Sequence, residues 1–219
     1  MLDNLNDIGD KIRSDLEKKN RVRDLALVQS RELIRYCANA IRAAHRLEFV
    51  EAETLLQKAR EAAETMAREL ESQPDLYYAG YTQDALKELA EAHITYALIR
   101  ELPLPDPDEL GVDYAAYLNG MAEAVGELRR YALDLIRRDE VDGTERILAA
   151  MDDIYSLLVT VDYPDAITRG LKRVTDVTRS ILEKTRGDLT MSLRQERLQQ
   201  ALRDFEERIN LRLDENEQK

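Results

Sequence analysis

Apolar residues recur every three or four positions along most of the chain, which is the spacing that one face of an α-helix requires. Proline, glycine or polar turn residues separate six such segments. We predict helices over residues 5–46, 49–71, 84–102, 113–139, 144–159 and 166–213, and Gly187 is a candidate break in the last of them. A helix as long as the first usually packs along a partner, in a bundle or across a subunit interface.

Composition supports an all-α protein. Of the 219 residues, 44% are apolar and only 5% aromatic, with five prolines and eight glycines, a balance that suits long helices and disfavours a sheet. We predict a single helical domain over residues 1–219, a bundle of about six to seven helices with a very long N-terminal helix and a frayed end over 214–219.

Neither a membrane-spanning apolar run nor a secretion leader is visible, so the sequence favours a cytoplasmic protein without a membrane partner. The single cysteine, Cys37, lies in a helical apolar run, and we expect a buried free thiol. A formal net charge of −12 disfavours a generic basic DNA-binding domain. Basic residues nevertheless cluster along the first helix and over 129–138 and 169–179, either as local binding strips or as partners of nearby acids.

Candidate chemistry rests on carboxylates. Glu88 and Glu91 stand three residues apart on one helix face, close enough to converge on one cation. Spacing alone is weak support, because 44 acids among 219 residues would give roughly nine such pairs by chance. The chain contains no phosphate-binding glycine loop, zinc-spaced Cys/His cluster or nucleophile elbow, and nothing around His45 or His93 suggests a catalytic triad. Acids on facing helices can instead hold Mg²⁺ for phosphodiester hydrolysis.

Several segments, in order along the chain, carry a family resemblance. Leu86-Lys-Glu-Leu-Ala-Glu-Ala92 resembles the Leu-Gln-Glu-Tyr-Val-Glu-Ala of Trax proteins, in which both glutamates are catalytic. Four further segments resemble the following helices of the translin/Trax family: residues 112–120, 126–130, 147–155 and 171–179. The resemblance spans nearly the whole chain, although each motif alone is weakly specific.

This resemblance implies a Trax-like endoribonuclease of the archaeal type. It implies catalytic, metal-binding roles for Glu88, Glu91 and Asp153, with Asp152 as the alternative to Asp153 and Glu127 as a weaker fourth ligand. The implied cofactor is Mg²⁺, with Mn²⁺ as the alternative. Metal-activated water would attack an RNA phosphodiester and leave a 5′-phosphate and a 3′-hydroxyl.

The resemblance also implies RNA as the partner, with single-stranded DNA as the alternative, inside a hollow homo-octamer. The candidate nucleic-acid-binding residues are Arg21, Arg23, Arg35, Lys172 and Arg173. Two departures weaken this assignment: the loop after the third predicted helix is shorter than in animal Trax, and acids dilute the basic stretches. Two rival hypotheses are a translin-like protein that binds RNA or single-stranded DNA without cutting it, and a helical scaffold whose acids are all solvated.

Overall fold

The computed structural model describes the backbone of residues 4–217 and the side chains of residues 4–209. Within that part of the chain there are nine helices and no strand, so the all-α fold class is confirmed. The helices are α1 (Leu5–His45), α2 (Phe49–Glu69), α3 (Pro74–Tyr77), α4 (Gly80–Ile99), α5 (Pro107–Leu110), α6 (Tyr114–Ile136), α7 (Val141–Val159), α8 (Asp165–Thr168) and α9 (Leu171–Glu217).

Six of these helices are long and correspond to the six predicted segments. The other three are single turns that follow prolines: Pro74 and Pro107 open α3 and α5, and Pro164 caps α8. Proline suits these positions because its fixed φ fits the first helical turn, where the missing amide hydrogen has no helical partner. The prolines therefore mark where the long helices are joined.

The predicted last helix differs from the structure in where it is interrupted. Arg169 and Gly170 adopt left-handed φ values of 53° and 82°, and they separate α8 from α9. Helix α9 then runs through Gly187 without a break, because one helical glycine costs only about 1 kcal/mol. It continues to Glu217 across most of the end for which we predicted fraying, and residues 218 and 219 lie outside the described residues.

Helix α4 lies at the centre of the bundle, between α1 and α6, and α6 also packs on α7 and α9. Alanines on α4 are buried at contacts with its neighbours and keep the helices close. Large side chains fill the remaining space and are almost fully buried: Leu33, Leu86, Leu89, Ile94 and Leu128. Cys37 is buried and free, as predicted.

The N-terminal half of α1 extends away from this core. Its first buried residue is Ala26, although the helix begins at Leu5. Four large apolar side chains in this half are exposed: Leu5, Ile8, Ile12 and Leu16. The full-length packing partner expected for α1 is therefore not supplied by the described part of the same chain. Among the described residues, no helix is both long and apolar enough to cross a membrane.

Candidate metal centre

The start of α4 is held in place by its own polar side chains. Thr82 Oγ1 donates a hydrogen bond to the carbonyl of Leu76 at 2.8 Å, and Gln83 Nε2 donates one to the carbonyl of Tyr77 at 3.0 Å. Both side chains are buried, so these bonds satisfy the Thr82 hydroxyl and the Gln83 amide nitrogen, which would otherwise destabilise the fold. Glu88 and Glu91 follow one and two turns later on this fixed helix.

Helix α6 approaches α4 closely at Gly120. A Cβ atom at Gly120 would lie 2.5 Å from the carbonyl oxygen of Lys87 and 2.9 Å from the amide nitrogen of Glu91. Only glycine allows two helix backbones to pass this closely. The start of α6 is fixed by Asp113, whose side chain accepts a hydrogen bond from the amide of Ala115 at 3.0 Å. One turn after Gly120, the helix presents Glu123 to α4.

Three carboxylates converge at this crossing. Glu88, Glu91 and Glu123 each offer an oxygen, and these three oxygens lie within 4.8 Å of one another. Glu91 is 9% exposed, whereas the other two side chains are partly open to solvent. Glu88 and Glu91 face one site, in agreement with their spacing on the helix, and their catalytic and metal-binding roles stay predictions. Glu123 was missed, although it lies between two of the family-like segments and follows the contact glycine by one turn.

A lysine is part of the same cluster. Lys87 Nζ lies 2.8 Å from one carboxylate oxygen of Glu123 and 2.7 Å from the other, and it is 3.8 Å from Glu88. Burial lowers the pKa of Lys87, but its hydrogen bond to Glu123 and the surrounding carboxylates raise it overall. The ammonium group therefore stays charged and balances part of the acidic cluster.

The carboxylates make one another harder to ionise. Burial, followed by the charges of Glu88, Glu123 and Glu127, raises the pKa of Glu91 to about 8. Burial also raises the pKa of Glu88, and the opposing effect of Lys87 is not enough to restore it. A site whose acids resist ionisation gains stability from any added cation, which is the electrostatic condition that a metal site needs.

Glu127, the predicted fourth ligand, contacts a histidine of α1. Its Oε2 lies 2.6 Å from Nε2 of His45, whose side chain is 3% exposed. The hydrogen bond to His45 lowers the pKa of Glu127 and outweighs its burial. Glu127 is absent from the group of converging ligand oxygens because this histidine on α1 holds its carboxylate. The structure therefore does not bring Glu127 into the group of converging oxygens, and its role as a fourth ligand stays a prediction.

The structure does not place Asp153 in the site, and this prediction is corrected. Asp153 is exposed on α7, and the oxygens that converge with Glu88 and Glu91 belong to Glu123 instead. The buried stripe of α7 faces the core through Met151 and Ile154, which turns Asp153 outwards. Asp152 does not replace it, because its carboxylate pairs with Arg186 of α9 at 2.9 Å.

His93 lies outside the carboxylate cluster. Burial, and then the charge of Arg60 on α2, lowers its pKa to about 4, so the imidazole is neutral near pH 7. It faces α2, whereas the carboxylates face α6. This placement agrees with the absence of any triad pattern around the two histidines in the sequence.

The predicted nucleic-acid-binding residues fall into two groups. Arg21, Arg23 and Arg35 are exposed on α1, where they form ion pairs with Glu17, Asp24 and Glu32 of the same helix. Lys172 and Arg173 are exposed at the start of α9. Only Arg173 lines a cavity that also includes Lys87 and Glu123. The structure therefore brings one of the five residues to the carboxylate cluster, and their binding role stays a prediction.

The donor set fits a hard divalent cation. Mg²⁺ and Mn²⁺ prefer carboxylate oxygens, and Mg²⁺ binds them at about 2.1 Å, so opposite ligands lie about 4.2 Å apart. The oxygens of Glu88, Glu91 and Glu123 are already close to this spacing. Glu123 would have to exchange part of its bond to Lys87 for the metal. The cluster lacks sulfur and imidazole ligands, which suit zinc better.

Comparison with known proteins identifies relatives across most of the chain. An uncharacterized protein of Methanocaldococcus jannaschii, MJ0175, is 31% identical over 191 residues, which cover 86% of this chain and 84% of the relative. No family model matches the sequence. Two solved structures share the fold over most of this chain.

The structure of AfC3PO in complex with duplex RNA superposes with a TM-score of 0.77 at 33% identity, over 84% of this chain and 95% of that one. The crystal structure of apo-NeC3PO gives the same TM-score at 22% identity, over 88% and 98% of the two chains, and at that identity it supports the fold alone. The likeness to AfC3PO extends to sequence and covers nearly all of that protein. The chain therefore belongs to the translin/Trax family of C3PO-like proteins.

Proposed function

We propose that this protein is a metal-dependent endoribonuclease that hydrolyses RNA phosphodiesters at the Glu88, Glu91 and Glu123 cluster. The convergence of the three carboxylates, with one of them buried, is the observation that carries this proposal. The relative AfC3PO was solved with duplex RNA, which supports RNA as the substrate class. The proposed cofactor is Mg²⁺, with Mn²⁺ as the alternative, and a bound ion would activate water and neutralise charge that develops on the phosphate.

The side chains around the cluster would divide the remaining tasks. Glu91 is fixed by burial, whereas Glu88 and Glu123 are open enough to solvent to meet a substrate. Lys87 supplies a positive charge beside them. His45 holds Glu127 one turn beyond Glu123 through a hydrogen bond, which keeps the carboxylate of Glu127 out of the converging group. Lys87 thus offsets part of the negative charge of the cluster, which would otherwise repel the RNA backbone.

The proposal is tested by incubating labelled RNA with the purified protein and Mg²⁺. We expect defined products that end in a 5′-phosphate and a 3′-hydroxyl, loss of cleavage in EDTA, and loss of cleavage in Glu91→Ala. Cleavage that survives EDTA would contradict the metal mechanism. Cleavage retained in Glu91→Ala, with the variant shown to be folded, would contradict the site.

A specific contact favours a second candidate function. The ion pair between Lys87 and Glu123 balances part of the cluster without any metal, which suits a translin-like protein that binds RNA or single-stranded DNA without cutting it. That function predicts salt-sensitive binding, no products with Mg²⁺, and unchanged affinity when the glutamates become glutamines. The cleavage assay and an equilibrium binding assay on the same variants separate the two functions.

We also propose that the chain self-associates as a homo-octamer, the assembly that the family resemblance implies. The exposed apolar side chains of the N-terminal half of α1 support an assembly of some kind, because four of them lie on one helix without cover from the described part of the chain. In such an assembly the half of α1 that lacks a partner would be buried between subunits.

A further inference from the structure

A cavity of about 240 Å³ opens beside the carboxylate cluster. Helix α4 contributes Lys87 to its wall and α6 contributes Glu123, while Arg169 comes from the turn between α8 and α9 and Arg173 from the first turn of α9. Lys87 and Glu123 belong to both the cavity and the cluster. A molecule bound in the cavity would therefore lie directly beside the candidate metal centre.

The two arginines of this cavity are free of acidic partners. Among the described side chains, neither guanidinium forms an ion pair, and Arg169 donates only a long hydrogen bond of 3.4 Å to the carbonyl of Tyr78. Nearby arginines behave differently: Arg129 pairs with Asp188 and Arg186 pairs with Asp152. Several other described arginines also lack an ion pair, but Arg169 and Arg173 line one cavity together with Lys87.

The backbone holds these arginines in a specific arrangement. Arg169 has a φ of 53°, a left-handed conformation that a residue with a side chain seldom adopts, and Gly170 follows at 82°. The amide of Arg173 then donates a hydrogen bond to the carbonyl of Gly170 at 3.1 Å, which starts α9. This turn places the two guanidinium groups at one cavity. Strained conformations of this kind often accompany functional positions.

We propose that this cavity is a subsite for one backbone phosphate of the RNA strand, adjacent to the phosphate that is cut. Arg169 and Arg173 hold that phosphate through charge-assisted hydrogen bonds, since the planar guanidinium group matches phosphate oxygens. The inference rests on the proposed function, because it takes RNA as the substrate and the carboxylate cluster as the place of cleavage. It adds Arg169 and the cavity, and it makes both arginines positioning residues.

Charge balance in the cavity links the subsite to the metal centre. Three basic side chains line it, together with the carboxylates of Asp84 and Glu123. Lys87 is bonded to both oxygens of Glu123, so any use of Glu123 as a metal ligand weakens that ion pair. The positive charge of Lys87 at the cavity wall is then available to a phosphate in the cavity. Phosphate binding in the cavity and metal binding at the cluster should therefore reinforce each other.

The test uses a labelled single-stranded RNA in which one linkage at a time is an uncharged methylphosphonate. Binding is measured by fluorescence anisotropy with the full-length protein, first in EDTA and then with Ca²⁺ in place of Mg²⁺. In wild-type protein, one position should lose about tenfold in affinity when its charge is removed, the size expected for a charge-assisted hydrogen bond. In the double variant Arg169→Ala/Arg173→Ala, removing the charge at that position should cost no more affinity than removing it at any other position.

Matched variants separate recognition from general charge. Arg179→Ala removes an exposed arginine of α9 that pairs with Glu183, and it should keep the position-specific loss. Arg173→Lys keeps the charge but cannot form two parallel hydrogen bonds, and it should restore only part of the effect. Circular dichroism establishes that each variant is folded. If Arg179→Ala abolishes the position-specific loss as the double variant does, the subsite is contradicted.

The outcomes also distinguish this subsite from the proposed function. Cleavage that depends on Glu123, together with a uniform methylphosphonate response in wild-type protein, would overturn the subsite and leave the nuclease intact. A position-specific response that the arginine variants remove, in a protein that never cuts RNA, would support the subsite and contradict the nuclease. Equal affinity for the metal with and without the RNA would contradict the coupling through Lys87.

Discussion

Glu91 is the residue of the candidate site that destabilises the folded protein most. Its carboxyl group is buried at the centre of the bundle, and three other glutamates surround it. Burial and these charges raise its pKa to about 8, whereas in the unfolded chain the same group ionises freely. Near pH 7 this difference favours the unfolded state, because folding must either protonate the carboxyl group or bury its charge.

Replacing Glu91 with Gln should therefore stabilise the metal-free protein. We expect Glu91→Gln to raise the free energy of unfolding by on the order of 1–3 kcal/mol in EDTA at pH 7, since one pKa unit corresponds to about 1.4 kcal/mol. Urea unfolding followed by circular dichroism measures this change. Mg²⁺ should raise the melting temperature of the wild type but not of the variant. A less stable Glu91→Gln would contradict the electrostatic argument.

We expect replacement of Glu123 and replacement of Asp153 to have different effects on RNA cleavage. Glu123→Gln removes a converging ligand, whereas Asp153→Asn changes an exposed side chain on α7. We expect the first to reduce RNA cleavage by at least roughly tenfold and the second to leave it close to wild type. Rates measured at several Mg²⁺ concentrations would show whether metal affinity is lost. The reverse order of effects would restore Asp153 to the site.

Cys37 should be chemically inert in the folded protein. Its side chain is fully buried on α1, and burial, together with the charges of Glu88 and Glu91, raises the pKa of its thiol. We expect no reaction with an aromatic disulfide reagent under native conditions and one thiol per chain after denaturation in guanidinium chloride. Rapid labelling of the native protein would show that α1 separates from α4 far more readily than this packing allows.

At the scale of the element, the crossing of α4 and α6 decides whether the site exists. The two helices come from distant parts of the chain, and Gly120 allows their backbones to touch. Glu88 and Glu91 lie on one side of the contact and Glu123 on the other. A change in this distance therefore acts on the carboxylates even when none of them is replaced.

A pair of glycine substitutions on α6 tests this dependence. Gly120→Ala places a methyl group against backbone atoms of α4, and we expect a loss of roughly 1–3 kcal/mol in unfolding free energy and weaker Mg²⁺ binding. Gly126→Ala lies on the same helix with no atom within 4 Å of the new Cβ. It should stabilise the protein by about 0.5–1 kcal/mol through helix propensity alone. Equal effects at the two positions would contradict the close approach.

At the scale of the whole molecule, the described part of the bundle leaves large apolar side chains at the surface. The N-terminal half of α1 exposes large apolar side chains, and the last part of α9 does the same through Leu198, Leu202 and Phe205. Exposed apolar surface on long helices favours association with another protein surface. The protein also carries a net charge of −12, so any RNA-binding surface has to come from local basic groups.

The apolar half of α1 should be required for assembly. We expect Ile12→Glu/Leu16→Glu to lower the mass measured by light scattering, whereas wild-type protein should be close to eight times the chain mass of 25.2 kDa. Val50→Glu is the matched control, since Val50 is 81% exposed and lies on α2. A wild-type protein with the mass of one chain would contradict the octamer. An unchanged mass in the double variant would exclude this face from the interface.

The sequence predicted local features well because helices are encoded locally. The apolar spacing predicted all six long helices, since each residue's propensity and its neighbours three and four positions away are contained in the segment itself. The last helix was predicted less well. The turn at Arg169 and Gly170 was missed because a left-handed arginine has no clear sequence signal. The candidate break at Gly187 is absent because helices tolerate single glycines.

Glu88 and Glu91 could be predicted because they share one helix, where spacing fixes their relative direction. The third carboxylate comes from another helix, and its choice depends on which helix packs against α4 and at what distance. Sequence resemblance selected Asp153, but packing turned that residue to solvent and brought Glu123 to the crossing at Gly120. The sequence thus determined the helices and two of the three carboxylates of the candidate site. The tertiary structure decided which helices meet, because that contact depends on packing between residues far apart in the chain.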